Sequence, residues 1–322
     1  RSSDLLASER GVSQATAVQA LRLLEDSRLV EARPRSGYFV AARAPALPEP
    51  GLSAPPAQSM AVDLSSLIDQ MMALAQHPDY TSFGAACPEA ALFSQERVRR
   101  AASRAVLRHR DTLCRYPSED GAPALRRAIA RHALRLCCSF DPQQIQVTNS
   151  CRESIALCLR TVTRPGDVVA LESPTFFGSL QVLQSLGLRA LEIPTHPRTG
   201  LSVDALQLAL ETQPVAAVLA VPTLSNPLGA TMPLAERKRL SALLARHDVA
   251  FIEDVIYNDF AEQEDARRAV KSFDTAGRVM VCGSFSKSLA PGLSLGWVEP
   301  GRHAEAFRRQ RVAGNGGQSA LV

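Results

Sequence analysis

The sequence predicts a three-layer α/β domain with a mostly parallel sheet, preceded by a small helix-turn-helix unit that ends in a β-hairpin. Three observations give this fold class. Short apolar runs alternate with amphipathic stretches over most of the chain. A segment rich in proline and alanine separates this region from the first residues, and that front piece contains two helical patterns followed by two β-prone arms. With 322 residues the chain is long enough for more than one domain.

The front unit, residues 1–42, is predicted to form a helix, a short turn and a second helix. "SSDLLASER" begins with serines that cap a helix, "GVS" interrupts the pattern at Gly11, and Ser13 opens "SQATAVQALRLLEDSRL". Apolar residues at helical spacing predict the core-facing side of the second helix, namely Ala15, Val18, Leu21, Leu23 and Leu24. Helix, turn and helix together are typical of a DNA-binding motif, and an ordinary helical hairpin is the alternative.

The next segment, "LVEARPRSGYFVAAR", predicts a hairpin or wing around "RPRSG". A wing directly after the second helix favours DNA binding over the plain helical hairpin. In that interpretation the second helix enters the major groove and the hairpin meets backbone phosphates. The candidate DNA contacts are Ser13, Gln14, Thr16 and Gln19 on the helix and Arg33 and Arg35 on the hairpin.

A linker is predicted over residues 43–62, where the chain reads "AARAPALPEPGLSAPP" around the boundary. Prolines interrupt both helical and sheet hydrogen bonding, so this segment is expected to be an extended spacer. Residues 63–322 then form the second, larger domain.

The composition describes an ordinary globular protein, with 46% hydrophobic and 21% charged residues. No long uninterrupted apolar run and no signal-peptide core are present, so a cytoplasmic location is the expectation. The seven cysteines are scattered without a CxxC pair, which favours neither a disulfide framework nor a metal site. The net charge of +4 is too small to indicate nucleic-acid binding by itself.

The larger domain contains a series of strand-like runs: "QIQVTN", "DVVALES", "RALEIP", "AAVLAVP", "VAFIEDV", "RVMVCGS" and "LSLGWVE". Amphipathic stretches such as "LSVDALQLALETQ" and "LAERKRLSALLARH" separate them. Strands that are apolar on both faces predict a mostly parallel sheet between helical layers. Functional residues of such sheets gather at the carboxyl ends of the strands.

Polar residues follow several of these strands, and each has an ordinary alternative. Lys287 is either a surface lysine or a nucleophile whose pKa is lowered by desolvation. Asp254 is either a helix cap or an anion that keeps a heteroaromatic ring nitrogen protonated. Tyr257 either packs in the core or offers a phenol to a ring oxygen. Asn226 either forms a turn before Pro227 or offers its amide to the same ring oxygen.

Two further positions complete the set. Phe176 is either a core residue or a ring on which another ring stacks. Ser150, Cys151 and Arg152 follow a strand and open a helix, where free backbone N–H groups attract an anion. An imine-forming lysine, a carboxylate, a phenol, an amide, a stacking ring and an anion site are together what pyridoxal phosphate requires.

Six segments in this order resemble fold-type-I pyridoxal-phosphate aminotransferases: "YPSEDGAPALRRAIA", "VTNSCRES", "ESPTFFG", "LSNPLG", "EDVIYNDF" and "GSFSKSLAPGLSLG". With the hairpin unit in front, the chain resembles the MocR subfamily of GntR-type transcription regulators. In that subfamily a winged helix-turn-helix domain is fused to an aminotransferase-like domain.

The resemblance implies a role for each strand-end residue. Lys287 is expected to form the internal aldimine, Asp254 to pair with the pyridine nitrogen, and Tyr257 and Asn226 to bond the ring's O3′. Phe176 is expected to stack on the ring. The residues expected around the phosphate are Ser284, Ser150 and Cys151, with Tyr116 reaching the phosphate of the neighbouring subunit in a head-to-tail homodimer. Residues 84–87 match a loop near the substrate side.

Three features depart from that family's usual sequence. Ser294 stands in "GLSLG" where the family usually has an arginine for the phosphate, which removes ~1.5–3 kcal/mol of charge-assisted bonding. Arg152 is a conceivable substitute for that arginine. Ser150 replaces a usual glycine, and it either crowds the phosphate or donates a hydroxyl. Compared with that family, the sequence is expected to begin at the second helix of the winged domain and to stop before the small C-terminal subdomain, so either it is a fragment or the protein lacks both.

The expected function is transcription regulation, with pyridoxal phosphate or an amino compound as the signal that the larger domain senses. The alternative is a catalytically active aminotransferase that acts on an amino acid. A third possibility is a degenerate domain that serves only for dimerisation. The expected partners are promoter DNA, a second copy of the chain and an amino-acid or amine effector, and no membrane.

Overall fold

A computed structural model describes residues 2–41, 48–75, 88–109 and 120–314, together with residues 77, 79 and 114. The chain divides into two compact units, residues 1–50 and residues 51–322. None of the helices in the described ranges combines the length and the apolarity needed to cross a bilayer.

The first unit contains two helices and a hairpin: α1 (Ser2–Arg10), α2 (Gln14–Asp26), β1 (Val30–Arg33) and β2 (Gly37–Val40). The side chain of Ser13 caps α2 by accepting a hydrogen bond from the backbone N–H of Thr16 at 3.1 Å. The two strands are antiparallel, with Val30 opposite Val40. The expected succession of helix, turn, helix and hairpin is therefore present.

The predicted core stripe of α2 is only partly right. Of the five residues predicted to face the core, Leu21 is buried and Val18 is partly buried, whereas Ala15 and Leu24 are exposed and Leu23 is 62% exposed. The buried partner of Leu21 is Ala17, one turn earlier on the same side of the helix. Ala15 and Leu23 point to the opposite side, which α1 and the hairpin do not cover.

The second unit begins with β3 (Met60–Ala61), α3 (Ser65–Ala75), α4 (Gln95–Arg108) and α5 (Pro123–Ala133). Strands and helices then alternate: β4 (Gln146–Thr148), α6 (Cys151–Val162), β5 (Val168–Ser173), α7 (Phe177–Ser185), β6 (Arg189–His196), β7 (Gly200–Leu201), α8 (Val203–Thr212), β8 (Val215–Ala220), α9 (Leu234–His247) and β9 (Ala250–Asp254). The last elements are α10 (Glu264–Arg267), β10 (Val279–Ser284), β11 (Gly296–Glu299) and α11 (Ala304–Gly314).

The strands form one sheet in the order β3-β6-β5-β8-β9-β10-β11-β4, and β7 pairs with β6 at its side. The pairs β6/β5, β5/β8, β8/β9 and β9/β10 are parallel. β11 runs antiparallel to both β10 and β4, so β4 has the same direction as the central strands. The predicted mostly parallel sheet is confirmed, and each of the seven predicted runs contributes a strand.

Apolar layers cover both faces of the sheet. Alternate residues of β5 belong to different apolar clusters, with Val168 and Ala170 in one and Val169 and Leu171 in the other. The first cluster includes residues of α5, α8 and α9, and the second includes residues of α6, α7 and α11. The second unit therefore has three layers, and the carboxyl ends of its parallel strands share one edge of the sheet.

Candidate functional site

Three neighbouring strands at the centre of the sheet deliver four of the predicted site residues. Asp254 is the last residue of β9, and Tyr257 follows it by three positions. Asn226 lies in the loop after β8, and Lys287 lies in the turn after β10. Because β8, β9 and β10 are adjacent and parallel, these side chains leave the sheet at the same edge.

Asp254 is nearly buried, with 9% of its surface exposed. Its Oδ1 accepts hydrogen bonds from the backbone N–H of Ile256 at 2.9 Å and from the thiol of Cys151 at 3.2 Å. Burial raises the pKa of Asp254 to about 6, and the two donors oppose that rise. Oδ2 accepts no hydrogen bond from the described residues, so this oxygen is the one available to a cationic ring N–H.

Tyr257 and Asn226 form a pair beside this carboxylate. Burial raises the pKa of the Tyr257 phenol, and a hydrogen bond with the Asn226 side chain opposes the rise. Both side chains are partly buried. The structure therefore brings together the phenol and the amide that the sequence analysis placed at a ring oxygen.

The N-terminus of α6 lies over the end of β9, as the bond from Cys151 to Asp254 shows. Ser150 is the cap of this helix, and its Oγ accepts from the backbone N–H of Glu153 at 3.1 Å. The serine is accommodated in extended backbone with φ −167°. A Cβ added to Gly296 of β11 would lie 2.5 Å from the carbonyl carbon of Ser150, so this strand approaches the cap closely.

Arg152, at the start of α6, and Phe176, directly before α7, contact each other. The guanidinium carbon of Arg152 lies 5.9 Å from the centre of the Phe176 ring, a cation–π distance. A Cβ on Gly178 would come within 2.3 Å of the Phe176 ring, which explains the small residue there. Arg152 is exposed and is the second residue of α6.

Lys287 lies in a turn held by a bond from the backbone N–H of Leu289 to the carbonyl of Phe285 at 2.9 Å. Its side chain is partly buried. Ser284, at the end of β10, donates its hydroxyl to the carbonyl of Leu295 at 2.7 Å and accepts from the N–H of Ser286 at 3.1 Å. Ser284 therefore fixes the start of the turn that carries Lys287. A bond from Ser284 to a phosphate would compete with its bond to Leu295.

Ser294 precedes β11 in left-handed backbone with φ 52° and is exposed. Its N–H donates to the carbonyl of Pro291 at 3.2 Å. The position holds a hydroxyl where the family resemblance implies a guanidinium. Tyr116 and residues 84–87, which the sequence analysis also named, lie outside the described residues.

The candidate DNA contacts are all in the first unit, and most are exposed. Ser13 and Thr16 are hydrogen-bonded through their hydroxyls at 2.8 Å, and Gln14 donates to Asp4 at 2.6 Å. Gln19 is exposed on α2. Ser13 and Thr16 therefore contribute to the cap of α2 as well as to its exposed N-terminal end.

The two hairpin arginines differ in their surroundings. The Arg33 guanidinium lies 3.4 Å from a carboxylate oxygen of Glu31 and 4.7 Å from the centre of the Phe39 ring. Arg35 lies in the turn between the strands, in left-handed backbone with φ 66°. Arg33 therefore contacts other residues of the hairpin, whereas Arg35 lies at the hairpin tip.

Glu172 is a site neighbour that the sequence analysis did not single out. It is 2% exposed near the end of β5, and its Oε2 accepts from the backbone N–H of Val221 at 3.0 Å. Burial raises the pKa of Glu172 to about 8, and the charge of Asp254 adds to the rise. A glutamate inside the apolar run "VVALES" was the signal that could have drawn attention to it.

The sequence of residues 84–299 matches the family model for class I and II aminotransferases. The chain belongs to the class I and II aminotransferase family. The uncharacterised HTH-type transcriptional regulator YjiR of Escherichia coli K12 is 37% identical over 308 residues, 96% of this chain and 66% of that protein. The probable rhizopine catabolism regulatory protein MocR of Rhizobium meliloti is 29% identical over 95% of this chain and 62% of that protein. The resemblance stated from the sequence is confirmed.

Among solved structures, the kynurenine aminotransferase of Pyrococcus horikoshii in complex with PMP is similar, with a TM-score of 0.70 and 26% identity. That likeness covers 79% of this chain and 64% of the other. The fold-type-I assignment of the aminotransferase domain is thereby confirmed, and pyridoxal phosphate is the cofactor of the family. The chain spans slightly under two thirds of the length of the regulators it matches.

The residues of the aminotransferase domain fit this cofactor. A nearly buried carboxylate with one oxygen left to accept a bond suits a pyridinium N–H, which would lower the raised pKa of Asp254. The Asn226–Tyr257 pair suits a phenolic oxygen, and the start of α6 suits a phosphate. The chemical nature of these groups agrees with what the ring, its oxygen and its phosphate require.

Proposed function

We propose that this chain is a DNA-binding transcription regulator whose aminotransferase domain binds pyridoxal phosphate through Lys287. The observation that carries the proposal is the presence, in one chain, of a helix-turn-helix-hairpin unit and an aminotransferase fold with converging strand-end residues. A relative named as an HTH-type transcriptional regulator and another named as a regulatory protein support it. In this proposal the first unit is a winged helix-turn-helix domain.

When bound, pyridoxal phosphate supplies an aldehyde that condenses with an amine and a ring that withdraws electrons. Lys287 would provide the amine. Asp254 would accept from the ring N–H through Oδ2, and Tyr257 and Asn226 would bond the ring oxygen. Phe176 would cover a face of the ring and limit its contact with water.

The phosphate would lie at the N-terminus of α6, where the backbone N–H groups and the helix dipole favour an anion. Ser150, through its hydroxyl proton, and Cys151 are the candidates at the start of this helix. Ser284 and Arg152 are further candidates, and Tyr116 would come from the partner subunit of a homodimer. Arg152 would supply the guanidinium that the family usually has at the position of Ser294.

DNA binding would place α2 in the major groove and the tip of the hairpin at the phosphate backbone. An amino compound would act as a signal by taking the place of the Lys287 amine on the cofactor's aldehyde carbon, which would release that amine, and by binding better to one arrangement of the two units than to another. Only such differential affinity can shift an equilibrium between arrangements.

A working aminotransferase is the second candidate. It is favoured by the same lysine, aspartate, tyrosine and asparagine, since none of these four side chains is replaced in the site. The regulator is favoured by the first unit, which an aminotransferase does not need.

Both candidates can be tested on the full-length protein by absorbance, mass spectrometry and DNA retardation. Added pyridoxal phosphate should give a visible band, and borohydride should bleach that band and leave the cofactor covalently attached to Lys287, detectable by mass spectrometry. Lys287→Ala should give neither the band nor the covalent product. The same protein should retard a DNA fragment from upstream of its own gene, with an affinity that depends on pyridoxal phosphate. Absence of DNA binding would refute the regulator, and conversion to pyridoxamine phosphate with turnover of amino acids would favour the enzyme.

A further inference from the structure

Three consecutive backbone carbonyls, those of residues 266–268, accept hydrogen bonds from three separate parts of the aminotransferase domain. Ala266 accepts from the hydroxyl of Thr223 at 2.9 Å, and Arg267 accepts from the side-chain amide of Asn258 at 2.9 Å. Arg268 accepts from the guanidinium of Arg237. We call residues 266–268 the carbonyl segment.

The donors to the carbonyl segment flank the two residues proposed to bond the ring oxygen. Thr223 lies three residues before Asn226, in the loop between β8 and α9. Asn258 directly follows Tyr257 and is 1% exposed. The carbonyl segment therefore anchors both the loop that carries Asn226 and the turn that carries Tyr257.

Arg237 of α9 connects the loop that carries Asn226 to the carbonyl segment. It is fully buried, and its Nε donates to the carbonyl of Met232 at 2.8 Å while its Nη2 donates to the carbonyl of Pro222 at 3.1 Å. Pro222 and Met232 are also joined directly, through the N–H of Met232, at 2.8 Å. One guanidinium thus binds both ends of the loop that carries Asn226 and, through Arg268, the carbonyl segment.

The partners of Arg237 are unusual for a buried cation. All three hydrogen-bonded acceptors are backbone carbonyls, and Glu253 and Asp265 act on it only through longer-range attraction. A buried charge without a bonded carboxylate is costly, and an apolar side chain of similar size would fill the space at lower cost. What an apolar side chain could not supply is the planar set of donors that fixes three carbonyls in one geometry.

We propose that Arg237 is a positioning residue that holds Asn226 and Tyr257 in register, so that both side chains meet the same ring oxygen of the cofactor. This inference rests on the proposed binding of pyridoxal phosphate. Arg237 acts through backbone carbonyls, and Thr223 and Asn258 assist it through the carbonyl segment. The residue bonds neither Asn226 nor Tyr257 directly.

The test compares Arg237→Met with Leu240→Ala in the full-length protein. Leu240 is a fully buried apolar residue of the same helix, so its truncation destabilises the fold without touching the loop carbonyls. Hydrogen exchange of the ligand-free protein should accelerate in residues 222–232 in Arg237→Met, and not in Leu240→Ala. The pH midpoint of the visible band of bound pyridoxal phosphate should shift by about one unit in Arg237→Met, because two bonds to the ring oxygen loosen.

The direction of that shift should match Asn226→Ala, and Leu240→Ala should keep the native midpoint. A native midpoint together with native exchange in Arg237→Met would overturn the inference. If Arg237→Met does not fold, Thr223→Val should give a smaller shift of the same sign, and Thr223→Ser should restore the native midpoint. A native midpoint in Thr223→Val would then count against it.

The hydrogen-exchange measurement also separates this inference from the proposed function. If the native protein gives no visible band with pyridoxal phosphate, the proposed function fails, and exchange in the ligand-free variants still decides whether Arg237 holds the loop. Equal acceleration in Arg237→Met and Leu240→Ala would reduce Arg237 to a general stabilising residue and refute the inference.

Discussion

The thiol of Cys151 donates a hydrogen bond to Oδ1 of Asp254 at 3.2 Å, and this contact joins the start of α6 to the end of β9. Through it, the proposed phosphate end and the proposed pyridine end of the site are one connected unit. Burial raises the pKa of the Cys151 thiol, so the thiol remains protonated and serves as a donor. Oδ1 is thereby occupied from the protein side, and Oδ2 is left for a ligand.

The raised pKa of Asp254 predicts a pH dependence of stability in the ligand-free protein. Its pKa is about 6 in the fold against 3.8 for an ordinary aspartate. A carboxyl whose pKa is raised in the fold stabilises the protein at pH values below its ordinary pKa. This stabilisation is lost as the pH rises through the pKa of the folded state. Relative to Asp254→Asn, the native protein should lose roughly 2.4 kcal/mol between pH 4 and pH 7.

Urea unfolding of both proteins at a series of pH values measures this difference. Asparagine keeps the oxygen that accepts from Ile256 but carries no charge, so it is the matched control. A constant difference in the free energy of unfolding across pH 4–7 would show that Asp254 ionises normally in the fold.

Glu172 predicts a second change, which extends to more alkaline pH. Its folded pKa of about 8 lies well above the ordinary 4.5, so the carboxyl is protonated in the fold at neutral pH, and the free energy of unfolding falls as the pH rises from 4.5 and levels off above 8. Glu172→Gln should match the native protein at pH 4 and exceed its free energy of unfolding by on the order of 3–5 kcal/mol at pH 9.

The comparison variant for Glu172 is the alanine substitution. Glu172→Ala leaves the buried N–H of Val221 without an acceptor, which costs about 1–3 kcal/mol at every pH. Chemical denaturation at pH 4 and pH 9 separates the two effects. The same difference in the free energy of unfolding between Glu172→Gln and the native protein at both values would contradict the buried protonated state.

The sequence predicted the sheet and the strand-end residues well for a physical reason. Runs that are apolar on both faces need cover on both sides, which favours parallel strands, and parallel strands place their carboxyl ends on one edge. Asp254, Tyr257, Asn226 and Lys287 could therefore be placed near one another from position alone. Their cofactor-binding roles remain predictions.

Other features had no comparable signal in the sequence. Arg237 binds backbone carbonyls, and every residue has a carbonyl, so its partners cannot be read from residue types. The exposure of Leu23 in α2 depends on which side the neighbouring elements cover, and helical spacing alone does not fix that side. The contact between Arg152 and Phe176, which lie 24 residues apart in sequence, joins the starts of α6 and α7.

Ser294→Arg tests whether the phosphate site lacks a cation. The added guanidinium should tighten pyridoxal phosphate binding about tenfold, as one charge-assisted bond does. The serine already has positive φ, so the backbone strain is the same for both residues. Ser139→Arg adds the same charge at an exposed position outside the site and should leave the dissociation constant, measured by absorbance titration, unchanged.

Arg152→Ala tests the proposed substitute for that cation. Loss of its guanidinium should weaken pyridoxal phosphate binding about tenfold in the native background and less in the Ser294→Arg background, since the new arginine takes over the contact. Arg160→Ala, in the last turn of the same helix, is the matched control. Unchanged affinity in Arg152→Ala would remove Arg152 from the phosphate site.

Arg35 distinguishes a DNA-binding hairpin from a merely structural one. Its place at the turn, away from the Glu31 and Phe39 contacts that hold Arg33, leaves it for a phosphate. Arg35→Ala should weaken binding to specific and unrelated DNA alike and lower the slope of log K against log salt by about one. Arg22→Ala, which removes an exposed arginine of α2 outside the proposed contacts, should keep the native slope in fluorescence-anisotropy titrations. An equal slope in Arg35→Ala and the native protein would mean that the hairpin tip does not meet the DNA backbone.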